Sequence, residues 1–158
     1  MRTKFLAILF ASLMVLAVAG TAAAQHDSSE KRVKYFKGSI SPSKNVKPGT
    51  VLTFSAGGAS KSTEYYCLLT ATSPQADGSS LTASNTSTLK SVKSSKKGKL
   101  TCKQTYQPWT AKDENGKTRH CPTTKADKRA GFKCSIAVVD KATVGAQSAG
   151  VGYFTAKK

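Results

Sequence analysis

Acidic side chains are scarce in this sequence: 8 aspartates and glutamates stand against 25 lysines and arginines in 158 residues, a formal charge of +17. Arginine is scarce as well, with four copies against 21 lysines. Base-specific reading of nucleic acid relies on forked guanidinium contacts, so this balance argues against it and leaves nonspecific polyanion binding open. No apolar run reaches the ~20 residues of a membrane-spanning helix. No G-x-S-x-G elbow, P-loop, HExxH helix or Cys/His nucleophile arrangement occurs, which argues against the common hydrolase and transferase chemistries and leaves radical-scavenging oxidoreductase activity open. Asp113 and Glu114 are adjacent carboxylates. The Asn115-Gly116 pair beside them predicts a turn, however, and a turn tip does not preorganise a general acid and base.

What is present at the start of the chain is an export pattern. Arg2 and Lys4, the apolar run Phe5 to Val18 and the small residues Ala22-Ala23-Ala24 read as a secretory signal peptide over residues 1–24. Residues 25–158 are then expected to form one extracellular domain of 134 residues with a formal charge of +15. A chain of that size buries roughly two-thirds of its unfolded surface. Cys67, Cys102, Cys121 and Cys134 are an even set in an exported chain and predict two disulfides. Three pairings are open. We favour Cys67 with Cys102 and Cys121 with Cys134, the second pair closing a loop of twelve intervening residues. Zinc is disfavoured because no C-x2-C or H-x3-H pair is present. Both methionines, Met1 and Met14, fall in the signal, so the mature chain offers oxidants neither thioether nor free thiol. A protein built to meet oxidants has that composition. Asn85-Thr86-Ser87 is a glycosylation sequon, meaningful only in a eukaryotic secretory pathway.

Beyond the signal, apolar residues alternate instead of recurring every third or fourth position, and no segment has helical periodicity. Strands are expected from Val33, Tyr35 and Phe36 to Ser41-Pro42-Ser43, over Val51 to Ala56, and over Glu64 to Thr72, the strongest of the set. Residues 73–98 are weaker, with Leu81, Leu89 and Val92 as sparse anchors and Lys96-Lys97-Gly98 as a hairpin turn. Leu100 to Tyr106, Phe132 to Val138 and Val151 to Thr155 complete seven strands. These spacings indicate an all-β, immunoglobulin-like β-sandwich or barrel with two disulfides, one of them joining strands three and five.

Several segments also carry a family resemblance. Ile40-Ser41-Pro42, Lys47-Pro48-Gly49-Thr50-Val51-Leu52-Thr53-Phe54-Ser55 and Tyr66-Cys67 resemble the opening strands of the enediyne apoproteins, the neocarzinostatin family. His120-Cys121-Pro122-Thr123-Thr124, Cys134 to Asp140 and Val151 to Phe154 are similar to the closing disulfide hairpin and last strands of that family. This resemblance implies the sandwich and, as one functional expectation, a site for a small hydrophobic ligand. In signal type, mature length, lysine richness and strand pattern the chain also resembles the RoxP-type secreted bacterial antioxidants, radical oxygenases of skin commensals. That second resemblance implies extracellular protection against radicals and reactive oxygen species, with a basic groove able to take haem or a related tetrapyrrole.

Such a cofactor has an apolar face and two propionates, so its site needs aromatic surface beside cations. The stretch from Cys102 to Cys134 supplies both, and Pro108 to Gly131 within it has little apolar content and no strand pattern, which reads as a long functional loop or a disordered one. The expected contacts to a small planar anionic ligand are Lys103, Tyr106, Trp109, Arg119, His120 and Lys133. His120 is the only histidine beyond His26 and is a candidate axial ligand for haem iron, or a solvated loop histidine. Cys121-Pro122 resembles the Cys-Pro pairs of haem-responsive proteins. Tyr65, Tyr66, Tyr106, Tyr153 and Trp109 are candidate one-electron donors, or packing residues. The run Lys90, Lys93, Lys96, Lys97, Lys99 and Lys103 reads as a solvated face or as a nonspecific contact to surface polyanions. The alternative expectation is a secreted, monomeric binding module for polyanions or a small hydrophobic ligand, without redox activity.

Overall fold

The computed structural model describes residues 35–76, 79–143 and 149–157. The expected signal, His26 and Val33 lie outside the described residues. The elements are β1 (Phe36–Ser41), β2 (Val51–Ala56), β3 (Glu64–Pro74), β4 (Ser80–Lys93), β5 (Leu100–Thr105), β6 (Trp109–Lys112), β7 (Thr118–Cys121), α1 (Lys125–Arg129), β8 (Lys133–Asp140) and β9 (Gly150–Phe154). Seven strands form one sheet in the order β4-β3-β8-β9-β1-β2-β5, and β6 and β7 form a separate hairpin. Strict alternation explains the shorter strands. β5 buries Leu100, Cys102 and Gln104 and exposes Thr101, Lys103 and Thr105, while β2 buries Leu52 and Phe54.

The sheet curls on itself. β3 and β5 are separated by four strands in the sheet order, yet Cys67 on β3 and Cys102 on β5 are disulfide-bonded with Cα atoms 6.5 Å apart. The two layers are therefore β4-β3-β8-β9 and β1-β2-β5, joined where β9 runs parallel to β1 through only two registered pairs, Phe36 with Gly150 and Lys37 with Val151. Between the layers lie Phe36, Ile40, Leu52, Phe54, Tyr65, Leu69, Leu100, Tyr106, Ile136, Val138 and Phe154. Each fully buried large apolar side chain contributes about 1.5–3 kcal/mol of transfer free energy. Gly38 is required by this packing, since a Cβ there would overlap the Phe54 ring. At the open edges, Lys90 of β4 donates from Nζ to the backbone oxygen of Lys103 on β5 at 3.1 Å, and buried Gln104 donates from Nε2 to the oxygens of Cys67 and Thr88, both at 2.9 Å. Side chains close what the strands leave unpaired.

Both disulfides follow the favoured pairing, and the second joins Cys121 at the end of β7 to Cys134 on β8. Two expectations need correction. The stretch from Pro108 to Gly131 is ordered as the β6–β7 hairpin and the one-turn helix α1. It lacks the sequence signal of a strand pair because the strands are four residues long and, apart from Cys121, every position is exposed or half-exposed. Helix α1 has no apolar periodicity and is held by its cap, in which Thr124 Oγ1 accepts from Asp127 N and Asp127 Oδ2 accepts from Thr124 N. Leu89 is not an anchor. The β3–β4 register jumps from Cys67–Lys90 to Leu69–Asn85, so residues 86–89 bulge outward and Leu89 is about half exposed.

Candidate functional site

β3 and β4 are the longest strands, and the β6–β7 hairpin packs on them. Trp109 touches both the main core and a small second cluster of Ala71, Ala83 and Phe132. The hairpin turn is shaped by Asp113, whose Oδ1 accepts from the backbone N–H groups of Asn115 and Lys117 at 3.0 and 2.9 Å, with Gly116 at φ +73°. Asp113 Oδ2 then accepts from Arg119 Nε at 2.8 Å. The Arg119 guanidinium lies 4.1 Å from the Phe132 ring centroid, and its Nη1 is 3.6 Å from Asp127 Oδ1.

Asp127 is the hub of this corner. It accepts from Thr124 N, Thr124 Oγ1 and His120 Nδ1 at 3.0, 2.7 and 3.0 Å. Burial pushes its carboxyl up, but the hydrogen bonds from Thr124 and His120 outweigh it and hold Asp127 below its ordinary value. The same balance holds for Asp113, where burial is outweighed by Arg119 and by the Lys117 and Asn115 amides. An ionised carboxylate only accepts, so Nδ1 of His120 carries the proton of that bond. The imidazole is thereby oriented with Nε2 as its second nitrogen, beside an open cleft lined by Pro108, Trp109, Thr110, Pro122 and Thr124.

A second concavity of about 470 Å³ lies on the other flank of residues 121–124 in sequence, where β8 starts and β9 ends. Its wall is Phe132, Tyr153 and Phe154, and its cations are Lys44, Lys128 and Lys133. No carboxylate lines it. Local bonding explains why these side chains meet. Val46 N donates to Thr155 O, Thr155 N to Ser43 O, and Asn45 N to Thr155 Oγ1, at 2.9, 2.9 and 3.1 Å, so the segment bearing Lys44 is stitched to the end of β9. The β8–β9 ladder sets Tyr153 opposite Ser135, and Lys133 Nζ lies 5.8 Å from the Tyr153 ring centroid. Burial, then the neighbouring Tyr35, pushes the Tyr153 phenol up, so at neutral pH it is an uncharged hydrogen-bonding group.

The six expected ligand contacts do not converge. Lys133 lines the groove, and Trp109 and His120 line the separate cleft. Lys103 is exposed on β5. Tyr106 is fully buried against Phe154, with ring centroids 5.6 Å apart, and presents no face to a ligand. Arg119 is held by two carboxylates, with its side chain only 11% exposed, so its guanidinium is already committed. The Cys121 sulfur is bonded to Cys134, which removes the thiolate that a Cys-Pro iron contact needs. Lys44 was missed because only tertiary pairing brings residue 44 to β9. Among the described residues no cluster of three or more His, Cys, Asp or Glu side chains is placed to hold a metal ion.

These features define an all-β, two-disulfide sandwich with a lysine-rimmed aromatic groove at one end. No family model matches the chain, and no curated protein matches it. Among solved structures it is similar to macromomycin, with a TM-score of 0.52 and 18% identity over 76% of this chain and 97% of that one. It is also similar to apokedarcidin, with a TM-score of 0.43 and 23% identity over 75% of this chain and 97% of that one. The macromomycin likeness bears out the fold expected from the enediyne-apoprotein resemblance. No helix among the described residues is long and apolar enough to cross a membrane.

Proposed function

We propose that this protein is a secreted antioxidant that scavenges radicals and reactive oxygen species, with a haem-like or other planar anionic cofactor in the groove where β8 starts and β9 ends. The observation that carries the reading is the groove itself: the exposed Tyr153 ring beside Lys44, Lys128 and Lys133, over a base lined by the buried Phe132 and Phe154, with no carboxylate in the lining. Its volume lies in the range of small-molecule sites. The donor set fits the edge of a tetrapyrrole, since ammonium groups match propionates and the exposed Tyr153 ring matches the ring plane. It contains no imidazole, thiolate or thioether, so the lining fits the carboxylates and the ring and supplies no iron ligand, and His120 lines the separate cleft. When bound, the cofactor supplies one-electron chemistry, and the chain binds, orients and shields it. Export through residues 1–24, the two disulfides and the absence of methionine after Met14 support an extracellular, oxidant-facing role.

Haemin titration tests this reading. The parent should bind saturably, and Lys128→Ala and Lys133→Ala should each weaken binding by ~5- to 150-fold, the effect of losing one charged contact worth about 1–3 kcal/mol. Arg119→Ala should not do so through direct contact. Radical scavenging should rise when haemin is added. Absence of saturable binding removes the cofactor, and scavenging that is absent with and without haemin removes the antioxidant role. Saturable binding of a neutral apolar ligand, with no scavenging, would favour the small-ligand module instead.

A further inference from the structure

The charges of this protein are segregated. No aspartate or glutamate occurs in residues 31–63 or 78–112, the stretches that contain β1, β2, β4 and β5. Within the layer β1-β2-β5 the register places the outward side chains in rows. Ser39, Ser55 and Thr101 form one row, and Ser41, Thr53 and Lys103 form the next. One residue beyond the registered pairs Gly38–Ala56–Leu100, Lys37 and Lys99 flank Gly57. A shallow groove runs there, with Lys37 and Lys99 on its two sides and Ser39, Ser55 and Thr101 in its floor. At ~4.8 Å per strand and ~3.3 Å per residue, Lys37 and Lys99 stand roughly 10 Å apart across the sheet, and Lys103 stands roughly 13 Å farther along β5.

We infer that this face is a docking surface for a sulfated glycan. Lysine ammoniums at polymer spacing match sulfate groups, and a floor of serine and threonine hydroxyls matches sugar hydroxyls by direct hydrogen bonds. A single-stranded nucleic acid is disfavoured because the outward positions of β1, β2 and β5 carry no aromatic ring on which a base could stack. The face shares no lining residue with the groove where β8 starts and β9 ends, so this inference stands or falls independently of the proposed cofactor.

The probe is a heparin oligosaccharide of defined length, compared with its chemically desulfated form and with single-stranded DNA of equal charge. The full-length protein should bind the sulfated form saturably, with affinity falling steeply with salt. The double variant Lys37→Ala with Lys99→Ala should weaken binding at least tenfold and reduce the salt slope by about two, one for each cation removed. Lys112→Ala with Lys117→Ala, which removes two exposed charges outside both grooves, should leave binding within about twofold. Equal loss in both double variants would show delocalised charge attraction and overturn the site. Equal affinity for the desulfated oligosaccharide, or for the DNA, would overturn the ligand class.

Discussion

Arg119 lies over the Phe132 ring, its guanidinium carbon 4.1 Å from the ring centroid, while its Nε donates to Asp113 Oδ2 at 2.8 Å. One side chain therefore ties the β6–β7 turn, the start of β8 and, through Asp127, helix α1. The flat guanidinium can stack and reach two carboxylates at once, which an ammonium cannot. Arg119→Lys should lose at least the stacking term of ~0.5–2 kcal/mol, and Arg119→Ala should lose more. Urea unfolding measures both, and a midpoint unchanged in Arg119→Lys would show that the stack carries no stability.

Acid should weaken the same corner. Asp113 and Asp127 are held below their ordinary values in the folded protein, whereas an unfolded aspartate titrates near ~3.9. Between the folded and unfolded values the unfolded chain binds more protons, so stability rises with pH there. The contribution is complete above about pH 5 and disappears as pH falls through the folded values. Asp127→Asn should be less stable at pH 7 and should lose less on going to pH 3. Equal slopes for parent and variant in a denaturation series would contradict the assignment.

Tyr106 offers the opposite kind of test. Its hydroxyl is buried without a hydrogen-bond partner among the described residues, and burial pushes the phenol up to about 12. Removing an unpartnered polar group removes its desolvation penalty, so Tyr106→Phe should be neutral or stabilising by about 1 kcal/mol. A loss of more than that would reveal a partner for the hydroxyl. Ultraviolet titration of the native protein should keep Tyr106 un-ionised until about pH 12, a late signal that Tyr106→Phe removes.

Native protein should show no free thiol, and peptide mapping should link Cys67 to Cys102 and Cys121 to Cys134. In the chain-entropy model the loops closed by these bonds correspond to about 4 and about 3 kcal/mol of stabilisation. The paired substitution of Cys121 and Cys134 by alanine should lower stability by roughly the smaller amount, read from denaturant midpoints. Two titratable thiols in the native protein would refute the pairing.

Strand-by-strand, the sandwich was legible because a period of two needs only local sequence. The alternation in Leu100, Cys102 and Gln104 against Thr101, Lys103 and Thr105 states which face is inside before any partner is known. The hairpin turn at Asn115-Gly116 was legible for the same reason, since turn chemistry is local. The β6 and β7 strands beside it were not, because their few half-exposed positions are buried only by β3 and β4.

The sequence by itself determined the lysine excess, the even cysteine set, the two-residue alternation and the absence of acid from residues 31–63 and 78–112. Only the tertiary structure decided which cations are available. Arg119 and His120 look like ligand contacts in a linear reading, yet two folded-in carboxylates engage Arg119, and Asp127 orients His120 toward a separate cleft. Tyr106, an aromatic beside lysines in sequence, is turned inward by strand parity and covered by Phe154. Lys44 and Tyr153, more than a hundred residues apart, meet because Thr155 bonds to Ser43 and Val46. Alternation, turns and net charge are properties of neighbours along the chain. A binding surface is a property of neighbours in space, and strand order, which local sequence does not encode, makes them neighbours.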